Sequence, residues 1–454
     1  MKLLVKDRSF YKTFFSMTGI IALQNLITFA VNLADNVMIG GYSQTALSGV
    51  AIVNQIQFLL QMLMLGTGSA IGVLAAQYWG KKELDPIRKA TSIGVLLGMI
   101  VSLVMMLLVF FFPKQAMGLL TNEQAVIDEG SKYLVIICFS YVLFAVSNNL
   151  LSALRSVETV KIGFVVNLLA LVVNIVLNYG LIYGNLGMPE LGVEGAAIAT
   201  LTARVVEFVI VVGYVLFLDK KICWKPAHLL HIDKTMFRDY IRVGMPLVLA
   251  NGIWGVAMSV QTAILGRMGE DTIAANSIAT TIFQVVSVVA YAASNASSVL
   301  IGKTVGQGDI PRVKAYTQTM QILFLIIGVV TGGVLYLCRE WIIGLYDVTP
   351  TAAELARQFI LVLSVTVVGT AYQCSCLTGI VTGGGDTRFV LINDLIHQWL
   401  IVIPAAFLSA FVFHGPVWLT FACLKADQIL KCFVAIVKVN RYRWIRVLTR
   451  DNIV

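Results

Sequence analysis

Charge is what this sequence has least of. Of its 454 residues only 13% are charged, while 58% are hydrophobic. Soluble domains carry about 25% charged residues. That deficit, with a mean hydropathy of +0.85, excludes a soluble globular protein and points to an integral membrane protein. Histidine is also scarce: His228, His231, His397 and His414 are all there are, and the first two share a loop. No histidine metal triad can be assembled from them, and no nucleophile–base set is visible, so an enzyme is not expected. The seven cysteines fall mostly inside apolar runs. Cys374 and Cys376 are two apart and would point to different faces of a helix, which makes a metal clip between them unworkable. All seven read as small buried hydrophobes. Neither a metal nor a cofactor is expected. No cleavable leader is expected either, because Lys2, Lys6, Arg8 and Lys12 precede an apolar segment too long for a signal peptide.

Long apolar runs are what the chain has in their place. A helix of about 20 apolar residues crosses the hydrocarbon layer. Such runs fall at 14–39, 46–77, 91–112, 133–153, 162–183, 193–218, 241–265, 272–301, 317–338, 355–379, 389–413 and 416–438. The expected fold is therefore all-α, with about twelve transmembrane helices. Breaks are expected at Gly40-Gly41, Gly80-Lys81-Lys82, Phe112-Pro113-Lys114, Gly184 to Gly195, and Gly383-Gly384-Gly385-Asp386.

One residue interrupts the apolar pattern most sharply. Asp35 is the sole formal charge between Lys12 and Lys81. A carboxylate at membrane depth costs roughly 2.5–3.5 kcal/mol on insertion scales, so it is expected to face a cavity and to have a function. Asn32 lies one turn back on the same face, with Gln24 and Asn25 further back. The competing reading places Asp35 at the aqueous end of the helix, capping the next element.

Basic residues set the expected orientation. Lys81, Lys82, Arg88, Lys89, Arg155, Lys161, Lys220, Lys221, Lys225, Lys303, Arg312 and Arg388 fall in alternate loops, and the chain ends are basic. By the positive-inside rule those loops and both termini are cytoplasmic. The opposite loops carry Glu123, Asp128, Glu129, Glu190, Glu194, Glu270 and Asp271. The net charge of +9 follows from this topology, so no nucleic-acid partner is inferred. The expected location is the inner, cytoplasmic membrane of the cell.

The chain also repeats. Placing Gly40 on Gly266 places Ile52 on Ile278, Ala70 on Ala296, Val73-Leu74 on Val299-Leu300 and Gly80 on Gly306 without a gap. Two halves of six spans, each beginning inside, are parallel repeats related by a pseudo-two-fold axis along the membrane normal. The expected division is an N-lobe at 1–218, a cytoplasmic linker with a short amphipathic helix at 219–240, and a C-lobe with a basic tail at 241–454. Folds of this kind bind substrate between their halves and work by alternating access.

These residues carry a resemblance. Asp35-Asn36-Val37-Met38-Ile39-Gly40 is similar to the first-helix signature of the multidrug and toxic compound extrusion (MATE) family. Gly66-Thr67-Gly68-Ser69 with Ala76-Gln77-Tyr78-Trp79-Gly80-Lys81-Lys82 resembles that family's second-helix exit. Asn174-Ile175-Val176-Leu177-Asn178 and Gly192-Val193-Glu194-Gly195-Ala196 resemble its fifth and sixth helices, and Gly384-Gly385-Asp386-Thr387 the loop after its tenth. The resemblance implies two six-helix bundles around a cleft. It also implies export of amphipathic organic cations in exchange for protons or sodium, by a monomer.

Carried over residue by residue, Asp35 matches the family's first-helix aspartate and Asn174 its fifth-helix asparagine. Thr200 or Thr202 matches a nearby hydroxyl. Many members have an aspartate where this chain has Asn178. That exchange removes a charge, so protons are expected in preference to sodium. The glutamate and aspartate of the NorM-like branch fall near Trp254 and Ala371 here, which places the chain closer to the DinF-like branch. The expected coupling set is Asp35, Asn174, Asn178, Thr200 and Thr202. Asn32, Gln55, Asn149, Trp254, Gln261, Gln284 and Tyr372 are expected to line the substrate cleft, although each suits an interhelical hydrogen bond equally well.

A C-lobe site is expected from Asp394 and His397, three apart and so on one face, and from Asp427 and Lys431 at i,i+4. Histidine titrates near pH 6.5 and can relay protons. Arg204 and Glu207 form the matching opposite-charge pair in the N-lobe; helix packing alone also accounts for both pairs. The rival functions are a lipid-linked oligosaccharide flippase of the same superfamily, with a larger and more basic cleft, and a sodium-coupled antiporter.

Overall fold

The computed structural model describes residues 5–230, 232–344, 346 and 348–450. His231 and Lys2 lie outside the described residues. Long helices follow one another as α1 (Arg8–Tyr42), α2 (Gln44–Lys81), α3 (Leu84–Phe111), α4 (Gln124–Ile137 and Ser140–Ser156), α5 (Lys161–Tyr183) and α6 (Gly192–Leu218). The second half continues with α7 (Lys234–Gly266), α8 (Glu270–Gly306), α9 (Ile310–Ile343), α10 (Pro350–Val381), α11 (Thr387–Val412) and α12 (Val417–Lys425 and Asp427–Asn440). No strand occurs among the described residues. Ten of these helices are long and apolar enough to span a membrane. The two pieces of α4, bent by 52°, make an eleventh. The twelfth, α12, is broken at Ala426 and carries Lys425, Asp427 and Lys431, so its apolar pattern is weak although its place in the series is plain.

Several boundaries differ from expectation. Helix α1 runs through Gly40-Gly41 and ends at Tyr42; the break is the single residue Ser43, whose hydroxyl accepts from the backbone N–H of Ala46 at 3.3 Å. Helix α7 begins at Lys234, inside the expected linker. Among the described residues of the linker ahead of α7, the helical piece is a 3₁₀ turn, Pro226–Leu230, and no amphipathic helix forms. The segment is pinned to α3 and α4 instead. The Trp224 indole, 4% exposed, donates to Ser92 at 2.8 Å; Arg88 donates to the carbonyl of Ile222 at 2.7 Å and Lys221 to that of Val157 at 2.6 Å.

The helices group into two compact units. One comprises residues 23–75 and 83–244. Its core is drawn from Ile39, Val53 and Met64, from Leu134, Ile137 and Tyr141 of α4, and from Ala196 and Ala197 of α6. The hairpin of α5 and α6 is closed by Gly184, left-handed at φ 69°, which caps α5. The backbone N–H of Leu191 then donates to the carbonyl of Leu181 at 2.8 Å.

The other unit comprises residues up to 22, 76–82 and from 245 onward. It thus takes in the first turns of α1 and the Lys81 end of α2, which the expected division at 218 assigns to the N-lobe. The packing explains this. Phe10 of α1 sits 4.4 Å from the ring of Tyr316 on α9. On α2, a Cβ at Gly80 would strike the carbonyl oxygen of Lys303, and one at Gly306 the carbonyl oxygen of Gln77. The repeat-related glycines therefore let α2 and α8 cross backbone to backbone. In the same unit Phe359 and Phe421 stack at 4.0 Å. Three π-helical segments, Ser375–Val381, Ile396–Val402 and Leu408–Val412, interrupt α10 and α11, the last two flanking Pro404. Proline removes an N–H from the ladder, and a π turn absorbs the slip.

After α12 the chain lies as a strap on its own unit. Trp444 is fully buried against Gly384. Asp386 pairs with Lys438 at 2.7 Å and Arg446 at 3.0 Å, and Gln77 accepts from the backbone N–H of Leu448 at 2.8 Å.

Candidate functional site

The carboxylate of Asp35 is buried, at 9% exposure, although its neighbours Asn36 and Val37 on α1 are exposed. Helix α5 presents Asn174 and Asn178, one turn apart and both fully buried. The Asn178 amide makes a short hydrogen bond to Oδ1 of Asp35 and another, of 3.3 Å, to Oδ1 of Asn174. Helix α6 supplies Thr200. Its hydroxyl donates to Oδ2 of Asp35 at 3.5 Å and accepts from the Asn174 amide at 3.2 Å. Four polar side chains from three helices thus form one ring. Among the described residues no lysine, arginine or histidine forms an ion pair with Asp35; Arg204 is paired with Glu207. The Oδ1 atom of Asn178 has no hydrogen-bond partner there.

Of the expected coupling set, Asp35, Asn174, Asn178 and Thr200 come together. Thr202 does not. Its hydroxyl donates to the carbonyl of Ile198 at 2.8 Å, on its own helix. Two residues further along α6 is about 200° around the axis, so only one of the two threonines can face the ring. Sequence reasoning missed Tyr133, which is 2% exposed and stands beside Thr200 and Gln57. The available signal was a phenol at the start of an apolar run. Gln24 is held elsewhere, donating to the carbonyl of Val160 at 2.7 Å.

The expected cleft residues have unlike surroundings. Asn32, Gln55 and Gln284 are exposed on their own units. Asn149 is fully buried and donates to the carbonyl of Ala145 at 2.8 Å, an intrahelical role and not a cleft one. Gln261 is buried at 6% exposure. The Tyr372 hydroxyl donates to Gln321 at 2.7 Å. Trp254 stands in a groove beside Asp394.

The C-terminal charges are partnered differently from expectation. His397 does not meet Asp394; its Nδ1 lies 2.9 Å from the carbonyl oxygen of Asn393. The π segment beginning at Ile396 changes the helical period at this point, so i,i+3 spacing no longer means one face. Asp394 is bound by Lys431 at 2.8 Å, and Lys431 also lies 3.3 Å from Asp427. Arg204 and Glu207 form their expected pair at 2.6 Å, with the guanidinium 5.0 Å from the ring centroid of Phe144. Among the described residues no cluster of three histidine, cysteine or carboxylate side chains is placed to hold a metal.

A polytopic helical membrane protein that buries a carboxylate among neutral donors in its first helix has the build of a transporter. Comparison with known proteins identifies which. The MatE family model matches residues 21–180 and 246–408, most of the chain. The protein belongs to that family, whose members are transporters and not enzymes. It is 26% identical over 411 residues to a probable multidrug resistance protein NorM of Listeria monocytogenes, covering 89% of each chain. A protein of the same description from Thermotoga maritima is 24% identical, with 95% of this chain and 92% of that one covered. The fold matches the crystal structure of a mutant of the Vibrio cholerae MATE transporter VcmN with a TM-score of 0.88 at 16% identity, over 97% of this chain and 99% of that one.

Proposed function

We propose that this transporter exports amphipathic organic cations in exchange for protons, and that Asp35 holds either the proton or, through its charge, the passenger. The observation that carries the reading is the ring around Asp35. Its partners are neutral donors. A carboxylate paired to a lysine or arginine would be neutralised permanently; Asp35 is left to alternate. The multidrug names of the relatives in Listeria and Thermotoga support the substrate class.

In the cycle, ionised Asp35 admits the cation from the inside. Outside, protonation cancels that attraction, and the passenger leaves. Protonated return resets the protein. Exchange of one proton for one monovalent cation moves no net charge. Membrane potential then contributes nothing, and each pH unit sustains about a tenfold gradient, or roughly 1.4 kcal/mol.

Asn178 supports protons over sodium. Its amide N–H group is turned to Asp35, whereas a sodium cage needs oxygens turned inward. By the family resemblance the acids of the NorM-like branch fall near Trp254 and Ala371, and no acid stands at either residue, which supports a DinF-like reading of the chain. Basic loops support cytoplasmic termini, and the protein is read as a monomer in the cell membrane.

Reconstitution in proteoliposomes tests the proposal. Uptake of a monovalent cationic dye into the vesicle lumen should follow a lumen-acid pH gradient and not a potential at equal pH. Uptake driven by potential alone, or only by sodium, contradicts it.

A further inference from the structure

We propose that Asp394 is a second docking point for the cationic group of the exported compound, and that Lys431 is a tethered cation that fills this point between passengers. The inference rests on the organic-cation reading above.

Two carboxylates share one ammonium here. Lys431 bridges Asp394 of α11 and Asp427 of α12, and buried Lys425 adds its field at Asp427. The two acids are not equivalent. The Asp427 side chain is 5% exposed and also accepts from Gln428 at 2.8 Å. Gln428 in turn accepts from Thr370 at 3.0 Å and Gln373 at 2.9 Å, so Asp427 is anchored in a closed network. The Asp394 side chain is 31% exposed, and Lys431 is its one hydrogen-bond partner among the described residues. Lys431 can therefore fall back on Asp427 without becoming unpaired, which frees Asp394 at little cost. A pair that merely fixed helix packing would seal both ends; this one leaves an acid open.

The groove beside Asp394 is shaped for such a ligand. Trp254, Leu391, Leu395 and Lys431 line it together with Asp394, around a cavity of about 10 Å³. That volume holds no more than one water. Withdrawal of the lysine head enlarges it. A groove lined by both an indole and a carboxylate suits a desolvated organic cation. Gln398 on the same groove is 4% exposed, and its amide nitrogen has no acceptor among the described residues. Buried donors are rarely left so. An oxygen on the passenger would satisfy it. The preferred substrate is thus a monovalent cation with apolar flanks and a nearby acceptor oxygen.

Equilibrium binding to the purified full-length protein at fixed pH tests this. The probes are a monovalent cationic dye and a neutral dye of similar shape. Asp394→Asn should weaken the cationic dye about tenfold and leave the neutral one unchanged. Lys431→Met combined with Asp427→Asn keeps the net charge, removes the competitor, and should tighten the cationic dye about tenfold. Adding Asp394→Asn to that pair should return binding to the weak level. Unchanged cation binding by Asp394→Asn in a protein that melts normally overturns the proposal, and that single variant decides even if the double variant does not fold. If the wild-type protein binds no cation, the transport reading itself fails; if it does and Asp394 is indifferent, only this inference does.

Discussion

The Asn178 amide donates at once to Asp35 on α1 and to Asn174 on its own helix, which makes it the hinge of the polar ring. It stands where a second acid is the alternative by family resemblance. Asn178→Asp supplies that acid and with it the charge a sodium cage requires. Cation export should then become stimulated by sodium at constant pH, read by dye efflux with sodium or with a large inert cation. Export indifferent to sodium would detach ion choice from this position.

Removing the amide altogether should hurt the fold. Asn178→Leu leaves the buried Asn174 and Asp35 without their shared donor. Such a loss costs about 1–3 kcal/mol. The melting temperature in detergent should drop by several degrees, and Asn178→Asp should melt closer to wild type. Equal melting of the leucine variant and wild type would mean that the ring contributes nothing to stability.

The crossing of α2 and α8 depends on having no side chain. Gly306→Val forces its Cβ onto the carbonyl of Gln77. Overpacking of this kind costs about 1–3 kcal/mol. Gly333 on α9 is exposed, and a Cβ there meets nothing within 4 Å, so Gly333→Ala should be neutral or gain up to about 1 kcal/mol. Thermal melts should fall for Gly306→Val and hold or rise for Gly333→Ala. A stable Gly306→Val protein refutes the close crossing.

The C-terminal strap should be a stability element. Trp444 is fully buried, and its indole donates to the carbonyl of Val439 at 2.9 Å. Trp444→Ala should cost about 3–5 kcal/mol as a buried aromatic deletion. It should also expose the tail to proteolysis at Arg441, Arg443 and Arg446. Wild-type resistance to trypsin in the variant would place the strap's hold elsewhere.

Hydropathy revealed the series of helices because a bilayer demands about 20 apolar residues per crossing. It did not find where helices end. Helix α1 begins at Arg8 and α7 at Lys234, because backbone hydrogen bonding continues past the apolar stretch into charged residues. The residues around Asp35 were legible through the family resemblance, which carried Asn174 and Asn178 over by position; charge scarcity alone singled out Asp35. Thr200 and Thr202 were not separable, because the rotation of α6 is set by packing against α5. The supposed Asp394–His397 pair failed for a local reason: a π turn intervenes, and no composition signal marks it. Lys431 and Asp394 are 37 residues apart in sequence, so only the tertiary fold joins them.

The account stands or falls on Asp35. Proton exit from the lumen of proteoliposomes, followed with an entrapped pH dye while a monovalent cationic substrate is added outside at zero potential, measures it directly. Wild-type protein should release about one proton for each cation taken up, and Asp35→Asn, folded as judged by its melt, should release none. Substrate-driven proton movement that survives Asp35→Asn would contradict the central claim.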